Sequence, residues 1–305
     1  MRKIILYSNP RKHYESAGMR GFQIGEQLKE YYKCDVDKNM DNIKNSIVIF
    51  LKDNYGVNKQ LLEKSKKQGN INIMDIIDLV YINPDNENDY HDLDLIDNGW
   101  NDFIDYYIVN NSHMVDYYTK KYKKFCYPIP HQYDPRLENV ALSRPKNKKL
   151  EFLFSGFVGH TNKNCLYINE LKRDYKIKFC DKFDDLISKP EFYNCDCHIS
   201  IRKEGSWEYI IKPAMKLANA AALGANIITS YDMSVRDLIP KDYPYLLLED
   251  DYESVKKMFD YVIKTYNTEI WFKGLKIMSD VRKILSVKRI VKKRYRDLLK
   301  KVGKE

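Results

Sequence analysis

The chain has 305 residues, enough for two domains with buried cores. Its net charge of +9 lies wholly in the tail: residues 273–305 carry 13 Lys/Arg against 3 Asp/Glu, and the rest of the chain carries 39 against 40. The body is therefore not a generally basic nucleic-acid binder, and no apolar run reaches the length of a signal-peptide core or a membrane-spanning helix.

Lys3 to Ser8 predicts a first buried strand, and 9–18 a loop that opens a helix over 19–32 with Phe22, Ile24, Leu28 and Tyr31 inward. A loop between a strand and a helix start suits an anion, and Gly18 and Arg20 could bring backbone and guanidinium to it; the alternative is that Arg20 is a surface helix residue. No G-x-G-x-x-G accompanies this loop. The run 45–51 (NSIVIFL) predicts a second core strand, 57–67 a helix, and 71–77 a strand. Residues 83–97 form an acidic loop that lacks the glycine and closing glutamate of a calcium site. Its Asp92-Leu93-Asp94 has a D-x-D shape, but such short acidic matches arise by chance, and no metal is assigned.

Tyr106 to Val109 predicts a strand, followed by a helix capped by Ser112 and reaching Tyr122. Residues 127–134 (YPIPHQYD) connect out of the first domain with His131 in the connection, and 142–149 (LSRPKNKK) read as the hinge. The second domain opens with a strand over 150–155 and a glycine loop, Gly156-Phe157-Val158-Gly159-His160-Thr161, which repeats the phosphate-cradle geometry. Strands follow over 176–180 and 197–201. Cys195-Asp196-Cys197-His198 alternates across the second of these, with no further ligand pair at zinc spacing, so core packing is expected there. Six scattered cysteines without a secretion signal read as reduced thiols, which implies a cytoplasmic protein.

The most informative stretch is 202–231, RKEGSWEYIIKPAMKLANAAALGANIITSY. It predicts a loop at 203–206, a helix with Pro213 in its first turn and Gly224 at its end, and a strand over 225–229: one crossover unit of a parallel sheet. Lys212, Lys216 and Asn219 follow i, i+4, i+7 and would share a helical face. Two ammonium groups beside the positive end of a helix suit a dianion such as pyrophosphate; the bland reading is two solvated lysines. A short helix within 230–237, a strand over 245–248, a helix over 252–266 and a long amphipathic helix or helix pair over 271–301 complete the chain.

KPAMKLANAAALGANIITS resembles the donor-site segment of GT-B glycosyltransferases of the group-1 type, which take a sugar from a nucleoside diphosphate. The form K-P-x-x-K-L-x-N-A of some short members stands here as Lys212, Pro213, Lys216, Leu217, Asn219 and Ala220. YPIPHQYD is similar to the segment that ends their N-terminal half, which would turn His131 to the cleft.

The resemblance implies an α/β GT-B fold, two Rossmann-like parallel-sheet domains facing across a cleft with the last helix crossing back. The domains would be 1–142 on the acceptor side, 143–267 for the nucleotide sugar, and 268–305 as a basic helix packed on the first. It implies sugar transfer to an acceptor hydroxyl, with retention and without a metal or other cofactor, the nucleoside diphosphate sugar being a substrate. Lys212 and Lys216 would stabilise the leaving diphosphate. Glu204 or Glu208 would hold donor hydroxyls, and Gly156, Gly159, His160, Lys163, Arg202 and Asn219 would complete the donor site. Gly18, Arg20 and His131 would lie on the acceptor side.

Two departures stand out. Many retaining relatives carry two glutamates seven residues apart, and the helix glutamate's place is taken by Asn219; the relatives' loop arginine is replaced by Phe157, leaving Lys163 or His160 to supply charge. The acceptor would be a glycan or a lipid-linked sugar. The basic tail, 273–304, allows a solvated face, an anionic membrane surface at which the protein is peripheral, or duplex DNA whose bases it would glycosylate. A non-catalytic sugar-nucleotide binder on the same fold is the further alternative.

Overall fold

Four consecutive apolar residues with no charge among them make the first strand, β1 (Ile4–Tyr7), and all four are buried. It is the second strand of a six-stranded sheet. The computed structural model describes residues 2–7, 17–37, 39–51, 57–77, 82–83, 86–90, 99–142, 149–156 and 163–303. Within them the chain divides into two units, one of 1–131, 211–213 and 287–305, the other of 132–210 and 214–286.

The first unit's sheet adds β2 (Cys34–Asp37), β3 (Ile47–Leu51), β4 (Ile71–Asp75), β7 (Tyr106–Val109) and β8 (Phe125–Pro128). Its order is β2-β1-β3-β4-β7-β8 and every pairing is parallel. A short antiparallel hairpin, β5 (Ile82–Asn83) and β6 (Asn86–Tyr90), stands apart from it. The all-buried β3 is the unbroken apolar run expected of a strand covered on both faces. β2 escapes a reading by apolar runs because it is a half-exposed edge strand with two aspartates. β8 escapes it because of Pro128, which has no N–H to donate and is tolerated on an edge strand.

The expected helix over 19–32 is shorter and begins as a π-helical stretch, Ala17–Gln23, before the α-helix Ile24–Leu28. The helix Ser112–Tyr122 is capped by Asn111, whose side chain accepts from Met114 N–H, so the cap lies one residue before the serine expected to supply it. The tail is a series of short segments in this unit, Val287–Ile290, a π-helical turn Val291–Tyr295, and Arg296–Val302.

The second unit's sheet comprises β9 (Phe152–Ser155), β10 (Ile177–Cys180), β11 (Cys197–Ser200), β12 (Asn226–Ser230) and β13 (Leu246–Leu247). All are parallel, in the order β10-β9-β11-β12-β13. The strand order reverses between β9 and β11, and open sheets of this kind take ligands beyond the carboxyl ends of the strands at such a point. The helices Tyr252–Thr265 and Glu269–Leu285 belong to this unit. Trp271, Met278, Val281 and Leu285 of the latter are buried.

Candidate functional site

The helix expected from Pro213 to Leu223 is broken at its start. One helix runs Trp207–Ile211 and a second Met215–Ala222, with Lys212 and Pro213 between them. Proline has no N–H to bond backward and its ring disfavours the α conformation of the residue before it, so the first helix stops at Ile211. Lys212, Lys216 and Asn219 therefore do not share one helical face. Lys212 lies in the break, half-buried and engaged with a neighbour, in the segment 211–213 that groups with the first unit.

Lys216 and Asn219 do remain on one face of Met215–Ala222, three residues apart. The helix is capped by Ala214, which has no side-chain acceptor, so the side chain at that position leaves the first-turn N–H groups to other partners. Gly224, at φ +66°, ends the segment in the left-handed conformation as expected.

Lys216 reaches the carboxyl end of β9. Its Nζ stands 3.9 Å from the centroid of the Phe154 ring, a cation–π contact. A Cβ placed on Gly156 would lie 3.3 Å from Lys216 Cε and 3.4 Å from its Nζ. Gly156 has φ +140°, which side chains rarely adopt, and its N–H bonds to Cys180 O at 2.9 Å. Thus the glycine that opens the loop after β9 and the lysine of the second helix, 60 positions later in the sequence, meet at the point where the strand order reverses. Asn219 is 6% exposed, and its Oδ1 accepts no hydrogen bond among the described residues.

Arg202 follows β11 and is 7% exposed. Its Nη1 bonds to Asp232 Oδ2 at 2.7 Å, while its backbone N–H and C=O both bond the Ser230 hydroxyl, at 2.8 and 3.0 Å. Asp232 also caps the short helix Met233–Arg236 by accepting from Val235 N–H. Burial raises the Asp232 carboxyl above its ordinary range, opposed by the Arg202 charge and these hydrogen bonds. Arg202 thereby ties together the ends of β11 and β12 beneath the loop that carries Glu204. Glu204 is exposed, with its backbone N–H bonded to Asp250 Oδ2 at 2.8 Å; Glu208 is half-buried in Trp207–Ile211 and has a partner.

In the first unit, Gly18 is buried in the π-helical stretch. Arg20 is neither a surface residue nor open to a ligand. It is 0% exposed: Nε and Nη2 bond the two Asp75 oxygens at 3.0 and 2.9 Å, and Nη1 bonds Ile129 O and Pro130 O at 3.4 and 3.1 Å. The Tyr295 hydroxyl also bonds Asp75, at 3.4 Å. Burial pushes the Asp75 carboxyl up, and the Arg20 charge and these hydrogen bonds pull it back. His131 is buried and has a partner. Asp75 was missed from sequence because it ends an apolar strand with no local sign of a partner 55 residues away.

Gly159, His160, the Asp92–Asp94 motif, most of the expected hinge and most of the loops after β1 and Gly156 lie outside the described residues; Lys163 opens the helix Lys163–Leu171. Cys195, Cys197 and His198 are buried. Among the described residues no group of three His, Cys, Asp or Glu is placed to hold a metal, and no helix is long and apolar enough to cross a membrane.

No protein-family model and no curated protein sequence matches the chain. Solved structures do match it. A glycosyltransferase from Rickettsia africae ESF-5 aligns over 100% of this chain and 99% of its own, at 12% identity and a TM-score of 0.64. Sucrose-phosphate synthase from Thermosynechococcus elongatus aligns over 100% of both chains, at 12% identity and a TM-score of 0.61. HepE of Anabaena, solved with UDP-glucose, aligns over 98% of this chain and 100% of its own, at 10% identity and a TM-score of 0.58. With the two parallel sheets and their strand orders, these likenesses give the chain the GT-B glycosyltransferase fold.

Proposed function

We propose that the chain is a glycosyltransferase that moves a sugar from a nucleoside diphosphate sugar to an acceptor hydroxyl. The observation that carries this reading is Lys216 held over Gly156 at the carboxyl end of β9. A lysine ammonium, a glycine that lets a ligand approach backbone, and the positive end of a helix meet there, and together they suit a diphosphate. The buried Asn219 Oδ1 is an acceptor for a hydroxyl of the donor. UDP-glucose bound to HepE, a protein of the same fold, is of this ligand class.

In the proposed reaction the bond from the sugar's anomeric carbon to the diphosphate breaks as the acceptor oxygen bonds to that carbon. The diphosphate leaves with the bonding pair, and its leaving oxygen takes up the proton that the acceptor hydroxyl loses. Charge develops on the leaving oxygen, and Lys216 stabilises it there. Lys212, from its separate segment, is proposed as a second cation for the donor phosphates, assisted by the loop from Gly156 to Lys163. Glu204 or Glu208 holds donor hydroxyls. Arg202 and Arg20 serve as positioning residues, since both guanidinium groups are committed to buried carboxylates. We read the transfer as retaining and independent of a metal, with a hexose as the donor sugar and a glycan or lipid-linked acceptor.

The experiment is a screen of nucleotide sugars by thermal shift, followed by donor hydrolysis and transfer assays in the presence of a chelator. Stabilisation by one nucleoside diphosphate sugar, with turnover, supports the reading. Donor binding without hydrolysis or transfer would instead make the chain a sugar-nucleotide binding protein.

A further inference from the structure

A cationic concavity lies in the first unit, at the end of its sheet away from the carboxyl ends of the strands. It is a cavity of about 530 Å3 bounded by the residues that lead into β1, β4, β7 and β8. Its walls include Arg2, Lys66, Asp105, Lys123, Lys124 and Phe125.

The lining has one carboxylate, and that carboxylate is used. Asp105 accepts two bonds from Lys66 Nζ, at 2.8 and 2.9 Å, and a third from Asn72 N–H at 2.7 Å. Arg2 is anchored at the rim by Nη1 donating to Gly69 O at 2.9 Å, so its guanidinium is oriented without being neutralised. Among the described residues neither Lys123 nor Lys124 is ion-paired. The Lys301 ammonium stands 4.9 Å from the centroid of the Phe125 ring and adds a further positive charge beside the cavity. Lys123 holds its place at a backbone cost: it ends the helix Ser112–Tyr122 with φ 56° and ψ 33°, a left-handed conformation in which glycine or asparagine would be less strained. The lining thus carries an excess of positive charge that no carboxylate of its own balances.

We propose that this cavity binds a phosphate group, with Arg2, Lys123 and Lys124 as its ligands, at a site separate from the one at Lys216. Phosphate fits because three donors of one sign line one cavity, and a guanidinium with two ammonium groups matches its several oxygens. The phosphate could be that of a small soluble ester or of an anionic lipid headgroup.

The test measures binding of inorganic phosphate by titration calorimetry at matched ionic strength, and of vesicles by co-sedimentation, comparing phosphatidylglycerol–phosphatidylcholine mixtures with phosphatidylcholine alone. The variants are K123N/K124Q, in which asparagine keeps the left-handed turn, R2Q, and K216A. The expected result is phosphate binding retained in K216A and weakened at least tenfold in K123N/K124Q and R2Q, with melting midpoints held. Binding of the mixed vesicles alone, lost in K123N/K124Q, assigns the site to lipid phosphate. The proposal is overturned if K216A abolishes phosphate binding while K123N/K124Q retains it. It is overturned equally if wild type takes up neither probe, or if the lysine pair can be replaced without effect on either.

Discussion

Lys216 packs closely against Gly156, so that a Cβ on the glycine would stand 3.3 Å from the lysine Cε. The two residues are therefore coupled, and a change at the glycine is also a change at the lysine.

Two substitutions separate charge from position. K216A should lower kcat by roughly 100-fold or more, the scale seen when one donor to a developing charge is removed. G156A keeps the lysine but displaces it and forces alanine into a strained backbone at φ +140°, at a cost of about 1–3 kcal/mol in stability. Steady-state kinetics with the identified donor decide the matter: wild-type turnover in K216A would remove Lys216 from the chemistry. K212A should act less severely, because its side chain rises from a different segment.

Arg20 and Asp75 should behave as a buried structural pair. R20A or D75A strands a charge with no access to water and should cost roughly 3–5 kcal/mol in denaturant unfolding. An apolar replacement of both should recover much of that loss. Y295F, which removes a bond of 3.4 Å to the same carboxylate, should cost about 1 kcal/mol. Additive effects of R20A and D75A in a double-mutant cycle would show that the pair is not coupled.

Arg202 and Asp232 invite the same treatment with a kinetic readout. If Arg202 only ties β11 to β12, R202A should lower the melting temperature and disturb the donor KM through the Glu204 loop. R202K should recover stability in part, since lysine offers one point charge where arginine offers a planar fork. A stable R202A with normal melting and a lost donor affinity would instead make Arg202 a direct ligand.

Glu151 supplies a pH signature. Burial works to raise its carboxyl, but hydrogen bonds from Lys176 and Lys178 hold it below its ordinary value in the folded chain. A carboxyl depressed by folding stabilises the protein above its unfolded pKa of about 4.3, and the contribution is lost as pH falls through the folded value. Wild type should exceed E151Q by roughly 1 kcal/mol at pH 7, and the gap should close towards pH 3. A gap independent of pH would remove the charge from the account.

The parallel sheets were legible because their strands are short apolar runs: IVIFL, FLFS and NIITS need no partner to be recognised. The stop at Gly224 was legible for a local reason as well. What was not legible depends on partners remote in sequence or on competition between signals. Helix formers on both sides of Pro213 suggested one helix, and the missing N–H prevailed. Arg20 has the composition of a surface helix residue, and only the arrival of β4 turns it inward onto Asp75. The approach of Lys216 to Gly156 follows from the order of β9 and β11, which spacing alone does not reveal.

The Tyr295 hydroxyl reaches a carboxylate 220 residues earlier in the chain, within one unit that is built from both ends of the sequence. The cover over Arg20 and Asp75 thus comes from a segment that follows the whole second unit in the chain, a long-range closure of the kind that slows folding.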